Sequence, residues 1–443
     1  MVAQELKGNV LTIHKLLEYE REFDKVWDAE KKQFKTKVTF FPTRGRSNPL
    51  PQSLRLIVID ESSTVSTSLF KQLEAAAPHC QFIFIGDINQ LPPVGDDSIF
   101  GYKLLELPTV ELTEVYRQAL ESKPLALAHR VLSGKAIYTP ELKADWADHP
   151  DLQIKFFPKG TSSEDALLGS AGILKKMFTE GKYDPVNDVV LCPFNVGFGI
   201  TELNKHIMDF AFPDRIVWEV IAGYETHYLA EGDYVLWNKD EYIVTKINPN
   251  GSYSGRRPSL LPCDRWGRLK AGTEAKDSDE PDVLDMIAAD GSVNQSGAHE
   301  IEFDLEAVAN DDDRVNAASH VIHLRHVETP EGGQEILVSK SGDVNQISFP
   351  YATTVHKSQG SGWERVFIFL HASHRKMLSR ELLYTAITRV KKQLYIFCEL
   401  NTFVKGITNA RIPGTNALEK AKFFQARLEE KALEAGDDES EED

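Results

Sequence analysis

Leu56-Ile57-Val58-Ile59-Asp60-Glu61-Ser62 is an apolar run closed by two carboxylates, and Gly86-Asp87-Ile88-Asn89-Gln90 closes a second such run about thirty residues later. Short apolar runs at this spacing, with a helical stretch at 66–77 between them, predict two parallel strands joined by a crossover helix. In open α/β sheets the carboxyl ends of the strands line the ligand crevice, so Asp60, Glu61, Asp87 and Gln90 are expected on one rim. A phosphate-cradling Gly-x-x-x-x-Gly-Lys-Ser/Thr loop normally precedes an Asp-Glu strand of this kind. None occurs in the 55 residues ahead of Leu56 or anywhere else in the chain.

At 443 residues and 42% hydrophobic content the chain has room for two to four domains with separate cores. No apolar run approaches the roughly 20 residues that span a bilayer, and the start has no signal-peptide pattern, so a cytoplasmic protein without a membrane partner is expected. Cys80, Cys192, Cys263 and Cys398 are scattered without C-x-x-C spacing, which points to free thiols rather than a zinc site. The formal charge of −17 is unevenly spread. Residues 274–313 hold fourteen acids against Lys276, and residues 428–443 hold nine against Lys431, leaving a small positive balance elsewhere. Acidic blocks of this kind are expected to stay solvated, and they leave room for a basic groove on other faces.

Alternating strands and helices continue outward from the central pair. Residues 9–11 and 110–112 read as short strands, Thr12 as the N-cap of a helix carrying Ile13, Leu16 and Leu17, and 34–41 as a strand before an exposed turn. A second α/β segment opens at 188–192 with a helix over 199–210. It is interrupted by short β-rich runs at 232–237, 242–247, 320–324 and 336–339, the texture of a small inserted β-barrel, and resumes through 366–370 and 393–397. No internal repeat is present.

The chemistry-bearing residues sit at the predicted strand ends. Asp60 could hold a hydrated Mg²⁺ through water while Glu61 orients and deprotonates an attacking water. Taken alone, the pair also reads as a solvated loop after a buried strand. Arg117 follows the predicted strand at 110–112, and Arg389 sits on a predicted helix far along the chain. Two guanidinium groups brought to a γ-phosphate would spread its developing charge. Thr354, His356, Lys357 and Ser358 are donors to phosphate oxygens, ahead of Gly360, which permits close approach. Thr12 with His14 could act similarly, a helix cap being the other reading of Thr12.

The ordered set Thr12-Ile13-His14, Asp60-Glu61-Ser62, Gly86-Asp87-x-x-Gln90, Tyr116-Arg117-Gln118, Val355-His356-Lys357-Ser358-Gln359-Gly360 and Tyr384-Thr385-Ala386-Ile387-Thr388-Arg389 resembles the superfamily 1 helicases. Within them it is most similar to the RecD and phage Dda branch, which moves 5′ to 3′ on single-stranded DNA. The resemblance implies two RecA-like parallel-sheet motor domains with an inserted small SH3-like β-barrel. Domain 1 would span 1–135 with a pin-like insertion near 20–55. Domain 2 would span 136–225 and 345–427, with the barrel at 226–344 enclosing the acidic insert 274–313, and 428–443 would be an acidic disordered tail.

By position, the resemblance implies that ATP and Mg²⁺ are the cofactors. Asp60 and Glu61 would serve Mg²⁺ and water, and Gln90, Arg117 and Arg389 would sense the γ-phosphate beside Gly360. Thr12, His14, Thr354, His356, Lys357 and Ser358 would contact DNA. Phe40 or Phe41 would be a wedge stacking on the splitting base pair. The expected partners are single-stranded or fork DNA and a single-strand-binding protein, in DNA replication or repair within a bacterial or phage-infected cell.

The pattern departs from that family in one respect: its P-loop is expected upstream of Met1, and without it ATP binding would be severely weakened. A separately encoded P-loop fragment that completes the first sheet, a truncated start, or a motor remnant kept for binding single strands would each account for this. A missing central strand would also leave an unpaired sheet edge.

Overall fold

The computed structural model describes residues 10–28, 33–112, 122–134, 149–238, 240–256, 258–259, 263–268, 317–330, 332–414 and 416–438. They fall into two compact units, one built from the chain up to Lys159 and from Val355 onward, the other from Gly160–Thr354. The sequence reading drew its first boundary at 135 and kept 345–427 with the segment after it.

Thr12 caps the short helix α1 (Ile13–Leu16), its hydroxyl accepting from the Lys15 N–H at 3.2 Å. Val10 and Leu11, expected in a strand, are irregular and exposed; Asn9 lies outside the described residues. Strands β1 (Tyr19–Asp28) and β2 (Gln33–Pro42) form an antiparallel hairpin with an unbroken register from Tyr19↔Pro42 to Asp28↔Gln33. Strand β3 (Leu56–Ile59), helix α2 (Thr67–Ala76) and strand β4 (Gln81–Phe84) make the expected parallel pair and crossover. Ser66 starts α2 by accepting from the Leu69 N–H. Phe70 and Leu73 then fall on the face that packs with Ile59 beneath β3 and β4, as i, i+3 spacing requires.

The opposite face of β3 and β4 carries Leu56, Val58, Ile83 and Ile85, which are 46–52% exposed. Among the described residues these two strands pair only with each other. Helix α3 (Ile99–Glu106) follows. The strand expected at 110–112 is not formed: Val110 and Leu112 are 86% and 93% exposed, with no ladder partner among the described residues to stabilise an extended segment. Helix α4 (Lys123–Leu132), with Pro124 in its first turn, and strand β5 (Leu152–Phe156) complete this part of the chain.

The second unit begins with α5 (Ser163–Thr179), β6 (Val189–Cys192) and α6 (Ile200–Ala211). The β-rich region opens at β7 (Val217–Ala222), ahead of the expected 226, and continues through β8 (Glu225–Ala230), β9 (Tyr234–Trp237), β10 (Asp240–Pro249), β11 (Ala317–His326) and β12 (Ile336–Lys340). The described strands form a β7–β8 hairpin and a four-stranded antiparallel sheet ordered β12-β11-β10-β9, not one closed ladder. Val220, Leu229, Val235, Val244, Leu324 and Val338 give hairpin and sheet a shared core. Inside this unit Asp233 is fully buried in a fork with Arg265, at 2.6 and 2.7 Å, and also accepts from Arg215 at 2.9 Å. After the short helix α7 (Ser341–Val344), strand β13 (Ala352–Thr354) pairs in parallel with β6.

The chain then returns to the first unit. Strands β14 (Trp363–Leu370) and β15 (Val390–Cys398) pair in parallel, and β15 pairs with β5. Helix α8 (Arg380–Ile387), with Ser379 as N-cap, lies between them in sequence, and α9 (Leu400–Thr408) and α10 (Ala417–Asp438) follow. Residues 428–438, expected as part of a disordered tail, continue α10. Phe424 of α10 meets Tyr102 edge-on at 5.7 Å and joins the core of Phe70 and Leu73.

Candidate active site

The ends of β3 and β4 are locked together before any ligand group is considered. The Ser62 N–H and hydroxyl both donate to the Ile85 carbonyl, at 2.9 and 2.7 Å. A Cβ on Gly86 would stand 2.9 Å from the Ser62 hydroxyl oxygen and 3.0 Å from the Ser63 nitrogen. Only glycine lets the two turns approach this closely.

Between them Glu61 adopts a left-handed backbone, φ +49°, and its N–H donates to Asp60 at 2.9 Å. A non-glycine residue in this region stores strain of about 1 kcal/mol or more, and such residues cluster at functional sites. Burial pushes the Glu61 carboxyl above its ordinary range; Arg389 opposes that shift, while Asp60 and Asp87 add to it. At Gly360, φ +77°, a Cβ would come 4.0 Å from the Glu61 side chain.

Helix α8 delivers the facing groups. Tyr384 donates to Asp87 at 2.7 Å, and the Leu91 N–H donates to the Thr385 hydroxyl at 3.0 Å. Gln359 donates to the Leu91 carbonyl at 3.0 Å, so the loop after β4 is held from two sides. Burial pushes the Tyr384 phenol well up, with Asp87 reinforcing the shift.

Arg389, 7% exposed, spends its donors on neutral oxygens: the carbonyls of Thr385 and Ser361 and the Thr388 hydroxyl. Burial lowers its pKa, and Glu61 and Asp87 counter that. The Gln90 Oε1 is buried and accepts no hydrogen bond among the described residues. A buried guanidinium without a carboxylate partner and a buried acceptor without a donor are both costly unless a ligand meets them.

Of the expected site, the structure thus gathers Asp60, Glu61, Gln90, Gly360 and Arg389 in the first unit, while Arg117 lies outside the described residues. No group of three or more metal-ligating side chains occurs among the described residues. Asp60, the residue expected to serve Mg²⁺, is exposed at the turn.

The expected strand-contacting residues are less uniform. Thr12 is exposed and serves as a helix cap, and His14 stacks obliquely on Tyr19 at 4.7 Å. Lys357 is exposed, and His356 is half-buried with a buried Nε2 that has no partner among the described residues. Ser358 is fully buried and donates to the Val355 carbonyl at 2.8 Å, so its hydroxyl shapes a turn instead of facing solvent. Thr354 is buried at the end of β13 in the second unit. Phe40 and Phe41, 59% and 37% exposed, pair with Arg21 and Glu20, close to the open end of the hairpin and far from its turn.

Sequence reasoning quoted Asp87, Tyr384 and Thr385 within motifs without seeing that they bond across the site. It missed Lys420 of α10, a 2% exposed lysine that donates to Asn89 at 2.8 Å, because no local pattern marks it.

Comparison with known proteins gives two family matches: a UvrD-like helicase C-terminal domain over residues 349–397 and an AAA domain over residues 1–147. The ATP-dependent RecD2 DNA helicase of Deinococcus radiodurans is 27% identical over 365 residues, 80% of this chain and 38% of that protein. The RecBCD enzyme subunit RecD of Mycolicibacterium smegmatis is 34% identical over 358 residues, 79% of this chain and 51% of that one. The chain therefore spans about half or less of the length of these relatives. Among solved structures, the Pif1 helicase from Candida albicans aligns loosely, with a TM-score of 0.43 at 14% identity over 86% of this chain and 77% of that chain.

Proposed function

Because this chain belongs to the RecD-type branch of the superfamily 1 helicases, we propose that it is the motor of an ATP-dependent 5′ to 3′ helicase or translocase on single-stranded DNA. The carrying observation is the buried Arg389, which feels the charges of Glu61 and Asp87 yet bonds only neutral oxygens, in the same unit as the unsatisfied Gln90 Oε1. A triphosphate offers both what they lack: anionic oxygens for the guanidinium, and a bound water as donor to the amide.

ATP with Mg²⁺ supplies the phosphoryl chemistry when bound. Asp60 would hold the cation. Glu61, its carboxyl pushed above the ordinary range by burial, orients the attacking water and takes its proton. Gln90 fixes the same water, and Arg389, with Arg117, draws charge off the transferring group. Tyr384 and Thr385 keep the loop bearing Gln90 in register with the helix that leads to Arg389. Lys357 and His356 serve the DNA backbone with Thr12 and His14 of the same unit, Thr354 is a separate candidate contact in the second unit, and Phe40 or Phe41 meets the fork.

The exposed apolar face of Leu56, Val58, Ile83 and Ile85 supports the further reading that a P-loop-bearing segment seats there and completes the phosphate cradle. Parallel sheets are stable when both faces are covered. A single-strand-binding protein is the natural further partner in replication or repair. No helix among the described residues is long and apolar enough to cross a membrane; we place the protein in the cytoplasm of a bacterial or phage-infected cell.

The test is ATP hydrolysis by the chain, alone and with a P-loop fragment, with and without single-stranded DNA. The expected result is DNA-stimulated hydrolysis that vanishes in Glu61→Gln, and unwinding of forks with a 5′ tail but not a 3′ tail. Salt-sensitive single-strand binding with no hydrolysis under either condition would overturn the motor reading in favour of a binding protein.

A further inference from the structure

We propose that Lys420 is a positioning residue of this site: from the C-terminal helix α10 it fixes the Gly86–Leu91 loop and thereby the place of Gln90. The inference rests on the reading of that loop as part of a nucleotide site; the contact itself does not.

Lys420 is delivered there by its own segment. Glu381, fully buried on α8, accepts from the N–H groups of Arg411 and Ile412 at 3.0 and 3.1 Å and pins the chain ahead of the helix. Gly414, at φ +126°, turns the backbone where a Cβ would stand 2.9 Å from the Lys420 nitrogen. Asn416 then opens α10 by accepting from the Glu419 N–H at 2.9 Å. One turn beyond Lys420, Phe424 packs so tightly on α3 that a Cβ on Gly101 would fall 2.2 Å from its ring. The lysine stem has no freedom to swing out.

At its far end the ammonium donates to Asn89 Oδ1 at 2.8 Å. Asn89 turns its N–H and its amide back onto Asp87 Oδ1, both at 2.9 Å, leaving Asp87 Oδ2 for Tyr384. Every polar atom of the Asn89 side chain is thus committed, with Gln90 the next residue. Burial lowers the Lys420 pKa, while Glu381 and Asp87 support its charge and Arg380 opposes it. A buried ammonium with one hydrogen bond and two acids nearby is a strong anchor, because its loss strands polar groups away from water.

The experiment is hydrogen exchange of the intact chain without nucleotide, read on the peptide covering Asp87–Leu91, whose Leu91 amide is bonded to Thr385. In Lys420→Met this peptide should exchange about tenfold faster than in wild type, and Lys420→Arg should recover most of the protection. Arg427→Ala, on the same helix as Lys420, is the control: it removes the 3.2 Å pair with Asp97 and should leave the peptide near wild-type rates. Unchanged exchange in Lys420→Met, or equal acceleration in Arg427→Ala, would overturn the proposal. Should the methionine variant not fold, Lys420→Gln is scored against the same two outcomes. A wild-type chain that never hydrolyses ATP would end the motor reading, yet the exchange result would still decide whether Lys420 holds the loop.

Discussion

Tyr384 and Asp87, 297 residues apart in sequence, are joined by a 2.7 Å hydrogen bond that ties helix α8 to the turn after β4. The phenol is buried, and its proton is held firmly because burial and the facing carboxylate both disfavour ionisation. Tyr384→Phe removes the donor and leaves a partly buried carboxylate oxygen short of a partner. The expected cost is about 1–2 kcal/mol, read as a lower urea midpoint at unchanged m value.

Glu61→Gln separates chemistry from stability. Hydrolysis should fall by about two to four orders of magnitude, the span general bases contribute. Stability should move the other way. The folded-state pKa of Glu61 lies above its unfolded value, so ionisation disfavours the folded chain as pH rises through that value. The glutamine variant should melt slightly higher at pH 7–8, and the gain should disappear below the unfolded carboxyl range, near pH 4. Melting curves of both proteins across that window are the check.

Arg389→Ala should lower single-strand-stimulated hydrolysis by about a thousandfold or more, as loss of a γ-phosphate arginine does elsewhere. Since its present partners are neutral oxygens, no carboxylate is left unpaired by the change. The variant should therefore fold and still bind DNA, which a filter or anisotropy titration reads directly.

In the second unit, Arg265→Ala should cost about 3–5 kcal/mol, because it breaks a bidentate fork onto the fully buried Asp233. Arg215→Ala, which removes one of the three bonds onto Asp233 and the stacking of a more exposed guanidinium on Phe212, should cost less. Comparing the thermal melts of the two variants tests the difference.

What could be read from the sequence was whatever local pattern dictates. The run Leu56–Ile59 with its carboxylates, the Ser66 cap of α2 and the β6–α6 pair each announce themselves through apolar spacing and turn chemistry. Glu61 and Arg389 were named as candidates because motif order stood in for distance, and in the structure Arg389 is near enough to bear on the Glu61 carboxyl. Strand β1 went unread: Phe23, Val26 and Trp27 are spaced as on a helix, and only pairing with β2 makes the stretch extended. Val110–Leu112 misled in the opposite sense, being apolar yet unpaired. Lys420 was hidden for a deeper reason. In sequence it belongs to a charged helix that looks solvated, and its partner Asn89 lies 331 residues away; only tertiary packing reveals a buried lysine there.

One strand of the second unit anchors both flanks of the acidic stretch. The Cys263 N–H donates to Val217 at one end of β7, and the Ser319 hydroxyl accepts from the Ile221 N–H near the other. Four residues of strand separate those anchors by about 13 Å. Cys263 and Ser319 are therefore spaced by the scaffold itself: a pair of labels at these two positions would read the integrity of β7 directly, whatever length of chain joins them.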